Sequence, residues 1–227
     1  MSDAEHEGTA QHLLCAAGVD PNVRMTPREL ARLLGAVLSP TAPKGLCGML
    51  EGHPLRIRYH DRGHPAQVNF SIAHELAHLA AEFADMPRPH DERDIDRIAE
   101  ALLVPRQHML RAIYAFGWDA ERLCATFSDV APRVVFARAA RVAEGIAVVR
   151  VGASRVVIAD EGAVVDVTPA LEERLVRLVR AHGRPTWDPS GVSAWPFVDV
   201  THRAGVVLLG ATTFWSSACA ENAPYPI

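Results

Sequence analysis

The pentapeptide His74-Glu75-Leu76-Ala77-His78 constrains this chain more than any other feature. Histidines four residues apart stand above one another only on an α-helix, at about 3.6 residues per turn. Two imidazoles so placed converge on one point, and nitrogen donors of this kind suit zinc. A catalytic zinc site takes three protein ligands and keeps a position for water, and an acid beside the histidines can draw a proton from that water. His74 and His78 are therefore candidate metal ligands, Glu75 the candidate general base, and Zn2+ the expected cofactor.

The flanking residues fit a helix over 69–84. Ile72, Leu76, Leu79 and Phe83 form an apolar stripe, and the histidines fall roughly opposite it beside Ala77 and Ala81. A helix buried on most sides, with one narrow polar line facing a cleft, is expected.

A third ligand should come from close by. After a break at Asp85–His90, a second helix is expected over 92–103, with Ile95, Ile98, Ala99, Leu102 and Leu103 as its buried face. Glu92 falls nearest that face, about 60° from its centre, with Asp94 and Asp96 on the flanks and Glu100 pointing away. An inward carboxylate is costly unless paired or metal-bound, which favours Glu92 as the ligand. Asp96, one turn on, can accept a hydrogen bond from a ligand histidine's second nitrogen. His90 reads as a loop histidine on the surface, with a stray ligand as the other reading. His60, His64, His108 and Tyr114 are candidate oxyanion donors that the sequence does not separate.

Residues 9–38 read as helical, with Thr26, Pro27 and Glu29 forming a capping box at an internal helix start. Ser39 to Gly52 is rich in Pro and Gly and reads as a loop. Leu55–Tyr59 alternates like a half-solvated strand and offers an edge to an extended substrate. Helices are expected near 106–116 and 119–144, the latter interrupted at Ser128–Pro132. Short strands follow at 146–151, 155–159 and 163–167, then a helix capped by Thr168 and running to His182, then a strand at 206–210.

The 227 residues are 49% hydrophobic with a net charge of −4, enough for a sizeable core and without a basic footprint for nucleic acid. The N-terminus has no apolar run of a signal peptide, and no apolar stretch reaches the roughly 18 residues of a membrane span, so a cytoplasmic protein without membrane association is expected. Cys15, Cys47, Cys124 and Cys219 form no C-x-x-C pair and read as reduced thiols. A thiolate at Cys47, in a Gly-flanked loop, could occupy the open zinc position and hold the site latent.

Two segments together carry a resemblance. Phe70-Ser71-Ile72-Ala73-His74-Glu75-Leu76-Ala77-His78-Leu79, followed by Glu92-Arg93-Asp94-Ile95-Asp96-Arg97-Ile98-Ala99-Glu100-Ala101-Leu102-Leu103-Val104-Pro105, resembles the ImmA/IrrE family of zinc metallopeptidases. The likeness covers about residues 25–140. Ala77, Ile95, Ile98 and Val104 depart from the family's usual Gly, small residue, Phe and Met, which alters packing only. The resemblance implies His74, His78 and Glu92 as metal ligands and Glu75 as base, with Asp96 at a position usually Asn or Asp. Because the preceding acid varies among relatives, Asp94 competes with Glu92.

The resemblance also implies cleavage of a helix-turn-helix repressor, relieving repression in a stress response. A non-cleaving repressor-binding module and a zinc hydrolase of small peptides are the alternatives. Segment 119–140, where relatives carry a helix-turn-helix-like piece, has few basic residues and reads as packing or substrate docking rather than DNA reading. The expected architecture is α+β. An N-terminal helical segment (1–50) precedes a mainly helical zincin-like core with a small edge sheet (51–116). A helical segment (117–144) and a small α/β C-terminal unit (145–227) follow.

Overall fold

The computed structural model describes residues 1–41, 48–52, 55–61, 63–86, 90–159 and 167–211. Cys47, Cys219 and all but Val167 of the strand expected at 163–167 lie outside the described residues. The protein is α+β and divides into two compact units: Met1–His108 with Ser128–Ala131, and Met109–Phe127 with Pro132–Ile227.

The first unit opens with α1 (Asp3–Ala16) and α2 (Pro27–Leu33), the second starting at the expected Thr26 cap, while 17–25, expected to be helical, is not. Each begins with a capping box, Ser2 with Glu5 and Thr26 with Glu29, which satisfies the amides that a helix start leaves free. Val37 and Leu38 extend the apolar repeat of α2, yet they form strand β1 (Val37–Ser39). Gly35, at φ 73, turns the chain out of the helix before them.

Strand β2 (Gly48–Glu51) was not expected in the Pro/Gly-rich stretch, while β3 (Arg56–Tyr59) falls where a strand was expected. The sheet order is β1-β3-β2, with β3 parallel to β1 and antiparallel to β2. The expectation that 55–59 offers a free edge is therefore wrong: β3 is paired on both sides, and β2 is an edge among the described residues.

Helix α3 (Pro65–Phe83) starts four residues before the expected Asn69, because His64 caps it and Pro65 takes its first position. Its buried face is Val68, Ile72, Ala73, Leu76, Ala77, Ala80 and Ala81. Phe83, assigned to the apolar stripe, is 57% exposed, since the face drifts to small residues in the last turns. Those alanines let α4 (Glu92–Leu103) pack closely, through the expected Ile95, Ile98, Ala99, Leu102 and Leu103, all buried. Burying each larger aliphatic side chain contributes about 1.5–3 kcal/mol, so the α3–α4 pair is a stable platform.

The division between the units falls within helix α5 (Arg106–Phe116), after His108. The second unit contains α6 (Ala120–Thr126) and α7 (Pro132–Val142), broken where expected. It continues with β4 (Gly145–Val151), β5 (Ser154–Ala159), α8 (Pro169–His182), β6 (Thr186–Trp187), β7 (Val192–Val198) and β8 (Ala204–Ala211). The strands form one antiparallel sheet, β5-β4-β8-β7-β6. Ile146, Val148, Val192, Ala194, Val206 and Leu208 alternate onto one face and pack against Leu175, Val176 and Val179 of α8. Helix α7 is buried from Val134 through Ala140, so these side chains are spent on packing.

Candidate metal centre

Asp91 starts α4 by accepting a hydrogen bond from the Arg93 amide at 2.8 Å. That start delivers Glu92 to the histidine-bearing face of α3. Glu92 Oε2 lies 3.2 Å from His74 Nε2, and Oε1 lies 3.8 Å from His78 Nε2. The two rings stand 5.0 Å apart and nearly perpendicular. One donor atom from each of His74, His78 and Glu92 lies within 4.8 Å of the others. Two imidazole nitrogens and a carboxylate oxygen at this spacing match the donor set of a three-ligand zinc site.

Glu92 does not reach this position by pointing inward. Its side chain is 69% exposed, contrary to the burial argument, because the first turn of α4 stands clear of the core and the long side chain lies across the surface of α3. Reach, not burial, joins it to the histidines. Asp94 points elsewhere, as two residues rotate a side chain by about 200° on a helix. Its Oδ1 accepts a hydrogen bond from His6 Nε2 of α1 at 2.7 Å, and Asp94 is not among the grouped donors. Asp96 faces His74, whose Nδ1 lies 3.0 Å from its Oδ1.

Glu75 is 7% exposed and turned toward β2. The Leu50 backbone amide donates a hydrogen bond to its carboxylate. Gly48 of the same strand lies so close that a Cβ there would be 2.5 Å from Glu75 Oε1. Burial pushes the Glu75 carboxyl above its ordinary value, against the opposing pull of His74. The histidines shift in opposite senses. The hydrogen bond to Asp96 raises His74, and burial followed by the nearby His74 charge lowers His78.

His90 is not a solvated loop residue. It is partly buried, its ring lies beside that of His78 with centroids 5.6 Å apart, and the two Nδ1 atoms are 3.3 Å apart. The sequence offered no signal for this beyond its nearness to Glu92. Of the suggested oxyanion donors, His64 caps α3 through Nδ1, and His108 Nε2 meets the Asn22 carbonyl at 2.8 Å. His60 is exposed at the end of β3, and Tyr114 is 84% exposed in the second unit. Gly48 and Leu50, which hold Glu75, escaped the sequence reading because β2 itself did.

No helix among the described residues is long and apolar enough to cross a membrane. No curated protein matches the chain. A solved structure described as a Mycobacterium tuberculosis transcriptional regulator shares the fold, with a TM-score of 0.60 at 16% identity, over 92% of this chain and 76% of that one. Residues 41–150 match the family model of the M78 peptidases, described as an IrrE N-terminal-like domain. That matched region contains both histidines, Glu75, Glu92 and Asp96, so the segment that carries the candidate metal centre is similar to the IrrE-like M78 peptidase domain.

Proposed function

We propose that this protein is a zinc-dependent metalloendopeptidase that hydrolyses a peptide bond in a protein substrate. The carrying observation is the convergence of His74, His78 and Glu92 donor atoms beside a buried, separately anchored Glu75. His74, His78 and Glu92 would hold the metal. When bound, zinc supplies Lewis-acid polarisation of a carbonyl and an activated water near neutral pH. Glu75 would take the proton from the attacking water on its carboxylate and pass it to the departing amine. Burial raises the Glu75 carboxyl above its ordinary value, which favours its taking up a proton. The Leu50 amide and the close backbone of Gly48 fix where that carboxylate sits.

The substrate reading is an extended segment of a helix-turn-helix transcriptional repressor, cut to relieve repression in a stress response in the cytoplasm. It draws on the family and on the likeness to a protein described as a transcriptional regulator. Strand β2 pairs only with β3 among the described residues, so its other edge, beside Glu75, can bind an extended chain through main-chain hydrogen bonds.

The test uses the full chain, stripped of metal and reloaded with zinc, incubated with a candidate repressor. Wild type is expected to bind one zinc and cleave, and Glu75→Gln to bind zinc equally and not cleave. Absence of zinc uptake, or equal cleavage by both, overturns the reading. Binding of the repressor without cleavage by either protein would favour the titrating module.

A further inference from the structure

We infer that His90 is a positioning residue for His78, accepting at its Nδ1 the hydrogen bond that orients the His78 ring toward the metal. This rests on the metal site proposed above. The Nε2 atoms of His74 and His78 both face Glu92, at 3.2 and 3.8 Å, which leaves both Nδ1 atoms pointing away from the donor cluster. An imidazole that ligates through Nε2 carries its proton on Nδ1 and donates from there, and the group receiving that bond sets the ring's tautomer and tilt. For His74 the receiver is the Asp96 carboxylate, at 3.0 Å. For His78 it is His90, Nδ1 to Nδ1 at 3.3 Å.

Two imidazole nitrogens facing each other share one proton. With His78 donating, His90 accepts and keeps its own proton on Nε2. That nitrogen is buried and meets no partner among the described residues. The contact with His78 is thus the polar contact described for this ring, and the ring planes lie 24° apart, near enough to coplanar for an in-plane N–H···N bond. His90 also sits behind His78, at the nitrogen remote from Glu92, and is not among the three grouped donors. It is placed to support a ligand rather than to be one. One helix start therefore supplies the third ligand, Glu92, and both outer partners: Asp96 for one histidine and His90 for the other.

Three full-length variants separate this role from packing. His90→Leu keeps bulk without an acceptor, His90→Ala removes both, and His90→Asn places Oδ1 near the position of the lost Nδ1. Zinc affinity is read by competition with a chromophoric chelator. Cobalt-loaded protein is examined by proton NMR for the shifted, exchangeable ligand N–H signals. Wild type is expected to show two such signals, from His74 and His78. His90→Leu and His90→Ala are expected to weaken zinc binding about 10–100-fold and to lose or broaden one signal, while His90→Asn stays within about threefold of wild type.

Wild-type affinity with both signals intact in His90→Leu overturns the inference, as does equal weakening by Leu and Asn. If His90→Leu does not fold, His90→Ala against His90→Asn decides by the same criterion. A wild-type chain that takes up neither zinc nor cobalt overturns the metal site itself, and the role of His90 with it.

Discussion

Gly48→Ala tests whether the first sheet sets the position of the Glu75 carboxylate. The added methyl would stand 2.5 Å from Glu75 Oε1, 2.9 Å from Cγ and 3.1 Å from Cδ. Ordinary heavy-atom contacts lie near 3.5–4.0 Å, so relief needs a shift of about 1 Å. Cγ is a constrained atom on a helix whose neighbours Ala73, Leu76 and Ala77 are fully buried, so the carboxylate swings away from the Leu50 amide. Overpacking of this kind costs about 1–3 kcal/mol, read as a lower melting temperature. A displacement of about 1 Å in a reacting group costs about 100-fold in rate.

Zinc affinity should barely change, because the three atoms nearest a Cβ at Gly48 all belong to Glu75. The assay pairs hydrolysis of a fluorogenic peptide library by zinc-loaded full chain with chelator competition and a melt. Adding Gly48→Ala to Glu75→Gln should cost no further rate, since the glycine acts through that carboxylate. An unimpaired turnover number, or a fall in zinc affinity that accounts for the rate loss, refutes the reasoning.

Glu92→Gln should lower zinc affinity at least tenfold. It should leave the metal-free melt within about 0.5 kcal/mol, because the side chain is largely exposed; an unaltered chelator titration would remove Glu92 from the ligand set. Asp94→Ala should do the reverse, losing about 1–3 kcal/mol by orphaning buried His6 while zinc binding persists; a loss of zinc would restore Asp94 as the competing ligand. In the second unit, burial pushes the Glu172 carboxyl up, but hydrogen bonds and charge from Arg155 and Arg150 outweigh it and hold it below its ordinary 4.5. Its stabilisation is therefore complete above about pH 4.5 and is lost as pH falls through the lower folded value. Glu172→Gln should flatten that acid limb and cost about 1–3 kcal/mol at neutral pH, less than a fully buried pair because both arginines are partly solvated; an unchanged melt-versus-pH curve would refute this.

What could be read from the chain was what depends on few residues in one helix. His74 and His78 face one way because four residues make about one turn, and α4 follows from Ile95, Ile98, Ala99, Leu102 and Leu103 at helical spacing. The caps at Thr26 and Thr168 were equally local. What escaped depends on partners distant in sequence. Strand β2 has no alternating pattern of its own and exists because Gly48–Glu51 pairs with Arg56–Tyr59. Strand β7 was missed because Pro196 breaks the strand pattern, although it pairs with β8 from Val192 to Val198. Val37 and Leu38 were misassigned because a repeat records which residues are apolar and not where Gly35 turns the chain.

The reading of Glu92 shows how a residue can be selected for a reason the fold does not share. Helical geometry placed it near the buried face, and the cost of burying a charge then made it the ligand. The side chain is in fact exposed, so that cost is never incurred. What singles out Glu92 is that it is the first residue of α4, with an arm long enough to touch both histidines from outside. Asp94 has the same charge and a shorter arm on the opposite side of the helix, and it is tied to His6. In the proposed site, an exposed ligand beside a buried base would also divide the labour. Glu92 would adjust to a bound ion without disturbing the core, while Glu75, held by an amide and a glycine, keeps its place.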